Sequence, residues 1–187
     1  MVAGTLAAVV GLVVLALLVY VVVLYNSLVR VRNNVDRAWA NVDVILQQRS
    51  DEVPNLVNTV KGYAAHEKTV LEEVTRARAH LTDARGSPAA LAAASAELSA
   101  AFTHVFAVAE AYPQLKASDN FLALQKRISS LEDILADRRE FYNDSVAIHN
   151  TRIQEFPDLL LANQMRLTPR EYFKAEGAAR AVPSVKP

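Results

Sequence analysis

The chain contains no cysteine. That excludes disulfides, thiolate-bound zinc, iron–sulfur clusters and cysteine nucleophiles together, because each needs a thiolate or a sulfur pair. Charge of one sign is equally missing: 20 Lys and Arg balance 20 Asp and Glu over 187 residues. A formal net charge of zero lacks the basic surface by which a nucleic-acid binder neutralises phosphates, so no nucleic-acid partner is expected. Turn-forming residues are scarce too, with five Gly and seven Pro. Long helices need few such residues, whereas a strand-rich sandwich needs them every 8–12 residues or so. The fold class expected is all-α.

The first 29 residues contain no charge, and Leu6 to Leu24 is almost wholly Leu, Val and Ala, with Gly11 inside it. About 20 apolar residues at 1.5 Å per residue cover the roughly 30 Å hydrocarbon core, while a cleaved signal has an apolar region of only about 7–15. No Lys or Arg precedes the run, and Tyr20 and Tyr25 stand where a cleavage site would need small residues. Residues 1–27 are therefore read as an uncleaved transmembrane anchor, with the two tyrosines near the lipid–water boundary. Arg30, Arg32 and Arg37 follow the span closely. Positive charge stays on the cytoplasmic side, which predicts a single-pass protein of the cell membrane with its N-terminus outside and its helical domain in the cytoplasm.

Beyond the anchor, Leu28, Val31, Val35, Ala38, Val42 and Ile45 step by three and four, the apolar seam of a helix continuing out of the membrane. This helix is expected to stop near Ser50, Asp51 and Pro54. A second seam runs through Val57, Val60, Ala64, Leu71, Val74 and Leu81 to the Gly86-Ser87-Pro88 triplet, with Gly62 a weak point inside it. A third helix is expected from Pro88 to Tyr112, ended or kinked by Pro113. A fourth carries Phe121, Leu124, Ile128, Leu131, Leu135, Tyr142, Ile153 and Phe156 and stops at Pro157. Short connections favour antiparallel neighbours. Residues 28–157 are thus expected to form an elongated antiparallel up-down four-helix bundle, with 158–187 as a C-terminal tail that is membrane-proximal in this arrangement. Its apolar cluster and Arg166, Arg170 and Lys174 suit either lipid contact or packing across the bundle end. Ala178 to Pro187 is expected to be disordered.

A di-metal bundle requires Glu-x-x-His pairs, and the residues three before His66, His80, His104 and His149 are Tyr63, Ala77, Ala101 and Val146. His66-Glu67 opens like a zinc-protease helix, but position 70 is Val where the second His belongs. Neither a Gly-rich phosphate loop nor a nucleophile elbow occurs. The sequence thus predicts neither an enzyme nor a bound metal or cofactor. Trp39, the one Trp, lies beside the first seam and reads as a packing anchor. Asn34, Asn41, Asn55 and Asn58 are amides near helical seams, where such groups can fix register.

Several motifs resemble those of the LemA family of bacterial membrane proteins: Arg32-Asn-Asn-Val-Asp-Arg-Ala-Trp39, the run Val53 to Glu67, and Ala107 to Lys116 followed by Asn120 to Gln125. The likeness continues through Tyr142-Asn-Asp, His149 to Ile153, Phe156-Pro157 and Arg170-Glu-Tyr-Phe173. The resemblance implies an N-terminal transmembrane helix with a helical bundle behind it, and no established catalytic activity. It departs from the family pattern at His149, where Tyr is usual, and in Leu159 to Leu167, where a Gly-containing segment is usual.

On the expected bundle the turns near Pro54 and Pro113 share the tip far from the membrane. A surface for a protein partner is expected there, built from Pro54, Asn55, Tyr112, Pro113 and Asn120, with Lys61, Tyr63, His66 and Glu67 below it. The function expected is that of a non-enzymatic, membrane-tethered interaction or scaffold protein, able to self-associate along its long seam. The alternative is a membrane-anchored receptor or sensor that takes a peptide or small ligand between helices, which requires a sizeable apolar pocket with a few convergent polar groups.

Overall fold

A computed structural model describes residues 2–64 and 66–174, and these contain helices and no strand. The helices are α1 (Val2–Lys61), α2 (Lys68–Asp83), α3 (Pro88–Ala109), α4 (Pro113–Lys116), α5 (Asp119–Arg152) and α6 (Asp158–Gln164). The expectation for Ala178 to Pro187 lies outside the described residues. Two compact units divide the chain: one holds the residues up to Arg37 with Asp144–Arg170, the other Ala38–Asn143 with the segment from Glu171.

In the first unit every residue from Val2 to Val23 is exposed. This stretch of α1 is long and apolar enough to cross a membrane. Burial begins at Leu28, which packs with Ile153 at the end of α5 and Ala162 of α6. Phe156 is not part of this core. It lies beyond the end of α5 and is 79% exposed, so the expected fourth seam ends one residue group early.

In the second unit α1 buries Ala38, Val42, Leu46, Arg49, Val53, Leu56 and Val60, a spacing of three and four that keeps one face inward. α1 does not stop near Pro54, as expected, but continues to Lys61. A proline in a helix interior costs about 3 kcal/mol through its lost N–H and ring clash. Burial of Val53, Leu56 and Val60 at about 1.5–3 kcal/mol each outweighs that. The break falls instead at Gly62–Glu67, and the expected second helix is divided between α1 and α2.

α2 and α3 pack against each other and are bridged by His80 to Glu97 at 3.0 Å and Glu73 to His104 at 2.9 Å. Those pairs run in opposite directions along the chain, so the two helices are antiparallel. Between them Gly86, at φ +124°, takes a backbone conformation that favours glycine, and the Ser87 hydroxyl accepts from the Ala90 amide at 3.3 Å to cap α3. α3 is also long and apolar enough for a membrane, yet it supplies Leu91, Leu98, Phe102 and Val105 to the core. It ends at Ala109, ahead of Pro113, which opens the single turn of α4. The segment after α6 returns to this unit: Phe173 is fully buried, and its amide donates to Asn143 Oδ1 at 2.8 Å.

Candidate functional site

The end of α1, the Gly62–Glu67 turn and α4 bring four of the expected surface residues together. The Tyr112 hydroxyl donates to Glu67 Oε1 at 2.8 Å. Tyr63, Tyr112 and Pro113 line a cavity of about 340 Å³ with Leu115 beneath. The hydrogen bond to the Glu67 carboxylate holds the Tyr112 phenol above its ordinary pKa, because ionisation would set two anionic acceptors against each other.

A larger open cavity of about 720 Å³ lies where α1 ends beside α2. Its apolar floor is Val57, Leu71 and Ala79, and Lys61, Lys68 and Arg76 stand around it with Glu72. Lys68, Glu72, Thr75 and Ala79 recur every three or four residues, so they form one exposed stripe of α2 beside its buried face of Leu71, Val74, Ala77 and Leu81. Among the described residues none of the three cations has an ion pair shorter than 4.0 Å.

The other expected residues lie apart from these cavities. Pro54 and Asn55 sit within α1, where the Asn55 amide donates to the Glu52 carboxylate at 3.2 Å. His66 is exposed in the turn and Asn120 in the first turn of α5; neither lines either cavity. The expected tip was drawn around Pro54, and moving the helix break to Gly62 carries Pro54 and Asn55 about two turns away from it.

Sequence reasoning missed a buried polar layer in the same unit. Arg49 has no exposed surface, and its guanidinium donates to Ser95 Oγ at 3.0 Å, to Ser99 Oγ at 2.8 Å and to the Glu132 carboxylate. It also stands over the Phe102 ring, 5.8 Å from its centre. Burial lowers its pKa, opposed by the attraction of Glu132. Glu52, itself buried, pairs with Arg127, and Arg78 Nε donates to Ser50 Oγ at 3.3 Å. One signal was available: Arg49 falls on the three-and-four register of Val42, Leu46, Val53 and Leu56, where a charge must be paired once buried. The layer fixes helix positions and offers no nucleophile or base aimed into a cleft. Among the described residues no group of three His, Asp or Glu side chains could hold a metal ion.

Residues 38–186 match the LemA family profile. The chain belongs to the LemA family. Relatives of this LemA-family chain include magnetosome protein MamQ 2 of Paramagnetospirillum magneticum, 24% identical over 190 residues that cover 88% of this chain and 70% of the relative. Magnetosome protein MamQ of Magnetospirillum gryphiswaldense is 24% identical over 193 residues, covering 88% and 71%. Protein LemA of Metamycoplasma hominis is 25% identical over 158 residues, covering 83% and 71%. None of these names denotes an enzyme. The family match takes in both cavities and the Arg49 layer and begins after the exposed apolar run of α1.

Proposed function

We propose that this LemA-family chain is a non-enzymatic, single-span membrane protein whose helical domain, tethered to the membrane by α1, docks a protein partner. One observation carries the reading: a single continuous helix supplies both the exposed apolar run and, through Val57 and Lys61, a wall of the cation-rimmed groove. Apolar surface ringed by unpaired cations suits an amphipathic segment with acidic residues, since burial supplies affinity and charge supplies selection. The antiparallel pairings of α2 with α3, and of Arg49 and Glu52 in α1 with Glu132 and Arg127 in α5, support an up-down bundle as the frame. Arg30, Arg32 and Arg37 favour a cytoplasmic domain with the N-terminus outside.

The groove also favours the second reading, a receptor for a peptide or small ligand, because its volume falls in the range of roughly 300–1,000 Å³ typical of ligand sites. A photo-crosslinking residue placed at Thr75 or Ala79 in cells, with Thr103 of α3 as control, separates these outcomes. Adducts that appear only from the groove and vanish in Lys61→Glu/Arg76→Glu support partner docking, and adducts to a second copy identify self-association. Equal adducts from Thr103, or none from the groove, overturn the docking reading. Because the native chain has no Cys, Thr5→Cys and Ser184→Cys tested with a membrane-impermeant thiol reagent on intact cells report orientation. Labelling of Thr5→Cys alone is the expected result.

A further inference from the structure

A concave site lies in the first unit. Arg32 of α1 and Arg166 and Arg170, which follow α6, surround a pocket of about 220 Å³ together with His149 and Thr168. Among the described residues one carboxylate is paired with these three guanidinium groups: Asp36 accepts from Arg170 at 3.0 Å and lies 3.9 Å from Arg32. Arg166 has no ion pair among the described residues shorter than 4.0 Å. A pocket with surplus guanidinium charge recognises an oxyanion, because the planar fork of donors matches carboxylate and phosphate oxygens.

Two further features mark this pocket. His149 is 1% exposed, its Nε2–H donates to the Thr168 carbonyl at 3.1 Å, and its buried Nδ1 has no partner among the described residues. With Nε2 donating, Nδ1 of a neutral imidazole is an acceptor, so His149 shapes the pocket wall and the guanidinium groups supply the donors for an oxyanion. Arg166 adopts φ +53°, closing α6 through the bond from Leu167 N to Ala162 O at 2.9 Å. Helix ends of this kind usually place Gly there, and an L side chain held in that region carries a cost that its function has to justify.

The position along α1 selects the source of the oxyanion. Leu28 packs against Ile153 and Ala162, and Arg152 Nη2 donates to Ser27 Oγ at 3.2 Å, so the end of α5 and α6 lie beside the helix just past Tyr25. Arg32 is seven residues beyond Tyr25, or about 10 Å along the axis, within reach of the headgroup layer for a long side chain. In the same unit Phe156 and Leu160, 79% and 62% exposed, present apolar surface to the surroundings. Exposed apolar side chains and clustered arginines within one unit are the composition of a surface seated in the headgroup and acyl boundary. We propose that Arg32, Arg166 and Arg170 bind the phosphate of an anionic phospholipid headgroup, with Phe156 and Leu160 seated in the same leaflet. This rests on the reading that the apolar run of α1 spans the bilayer.

The test uses the full chain. Insertion into nanodiscs of phosphatidylcholine alone is checked first, and then detergent-solubilised protein is titrated with phosphatidylglycerol or phosphatidylcholine and examined by native mass spectrometry. One phosphatidylglycerol is expected to bind preferentially. Each charge removed is expected to weaken it about fivefold, from roughly one surface charge's worth of lipid attraction. Arg32→Gln and Arg166→Asn remove charges, the latter with a residue that tolerates positive φ; Arg166→Lys is expected to recover most of the loss, and Arg85→Gln, in the other unit, to change nothing. Equal binding of the two lipids, or equal loss in Arg85→Gln, overturns the proposal. Displacement of phosphatidylglycerol by millimolar inorganic phosphate, with the lipid binding no tighter than phosphate, overturns the lipid source in favour of a free oxyanion. Failure to insert into any nanodisc overturns the spanning reading and this proposal with it, whereas insertion without lipid preference overturns this proposal alone.

Discussion

Arg49 of α1 and Glu132 of α5, 83 positions apart in the chain, are joined by a hydrogen-bonded ion pair whose guanidinium is wholly buried and whose carboxylate is half exposed. Ser99 bonds to both partners, donating to Glu132 Oε1 at 2.9 Å and accepting from Arg49 Nη2 at 2.8 Å. Three helices are thereby set in one register. Burying the guanidinium costs several kcal/mol, so the pair contributes specificity of packing more than net stability.

The three substitutions Arg49→Ala, Arg49→Met and Glu132→Gln separate those contributions. Arg49→Ala leaves a cavity and strips a partner from Glu132, and is expected to cost about 3 kcal/mol. Arg49→Met fills most of the space but also leaves Glu132, Ser95 and Ser99 without their partner, and is expected to cost about 1–2 kcal/mol, less than Arg49→Ala. Glu132→Gln should cost about 3 kcal/mol, because it leaves the wholly buried Arg49 guanidinium without its countercharge. Urea unfolding of the detergent-solubilised chain, followed by ellipticity, measures all three. A loss for Arg49→Met as large as for Arg49→Ala would show that the charge itself is required.

The two glycines in the connections should respond to alanine with opposite signs. Gly86 lies at φ +124° in open space, so Gly86→Ala meets no neighbour but strains the backbone by about 1–3 kcal/mol. Gly62 is outside the left-handed region, and an added Cβ would meet Thr59 O at 3.4 Å, the edge of ordinary contact. Gly62→Ala is expected to be neutral to about 0.5 kcal/mol stabilising, by restricting the unfolded chain. The order of their thermal midpoints tests this directly.

Trp39 packs against Tyr142 and Phe173 in tilted ring contacts, with centroids 5.2 and 6.3 Å apart. As the one Trp of the chain it reports on that cluster alone. Phe173→Ala should cost about 3–4 kcal/mol and move the Trp emission to the red as water enters. An unchanged emission maximum would mean that the segment after Arg170 does not cover Trp39 in solution.

The Tyr112 phenol is neutral when it donates to Glu67, and the bond holds its pKa above the ordinary 10.0. For an acid whose folded pKa is raised, the stabilising contribution is intact below the unfolded value and is lost as pH rises through the folded one. In the difference absorbance titration between the native chain and Tyr112→Phe, the missing tyrosinate signal should therefore appear above pH 10, and Glu67→Gln should bring it down. A Tyr112 signal that titrates alike with and without the Glu67 carboxylate would show that the bond is not formed in solution.

Helix class, the apolar exposed run and the LemA-family motifs were all legible in the sequence, because each depends on residues near one another in the chain. A three-and-four spacing declares a helix face, and an uncharged run of bilayer length declares its solvent. Helix ends were legible only where local chemistry met no opposition: Ser87 caps α3 at the Gly86-Ser87-Pro88 triplet as expected. At Pro54 the local rule lost, since burial of Val53, Leu56 and Val60 outweighed the proline. That single reversal moved the turn to Gly62 and left Asn55 outside the cavities that Tyr63, Tyr112 and Lys61 line. Periodicity also could not say what faces a buried position. It placed Arg49 on the inward register without naming Ser95, Ser99 and Glu132 as its partners, and it gave no reason to group Arg32 with Arg166 and Arg170. Those meetings join residues far apart in sequence, so only the packing of the helices decides them.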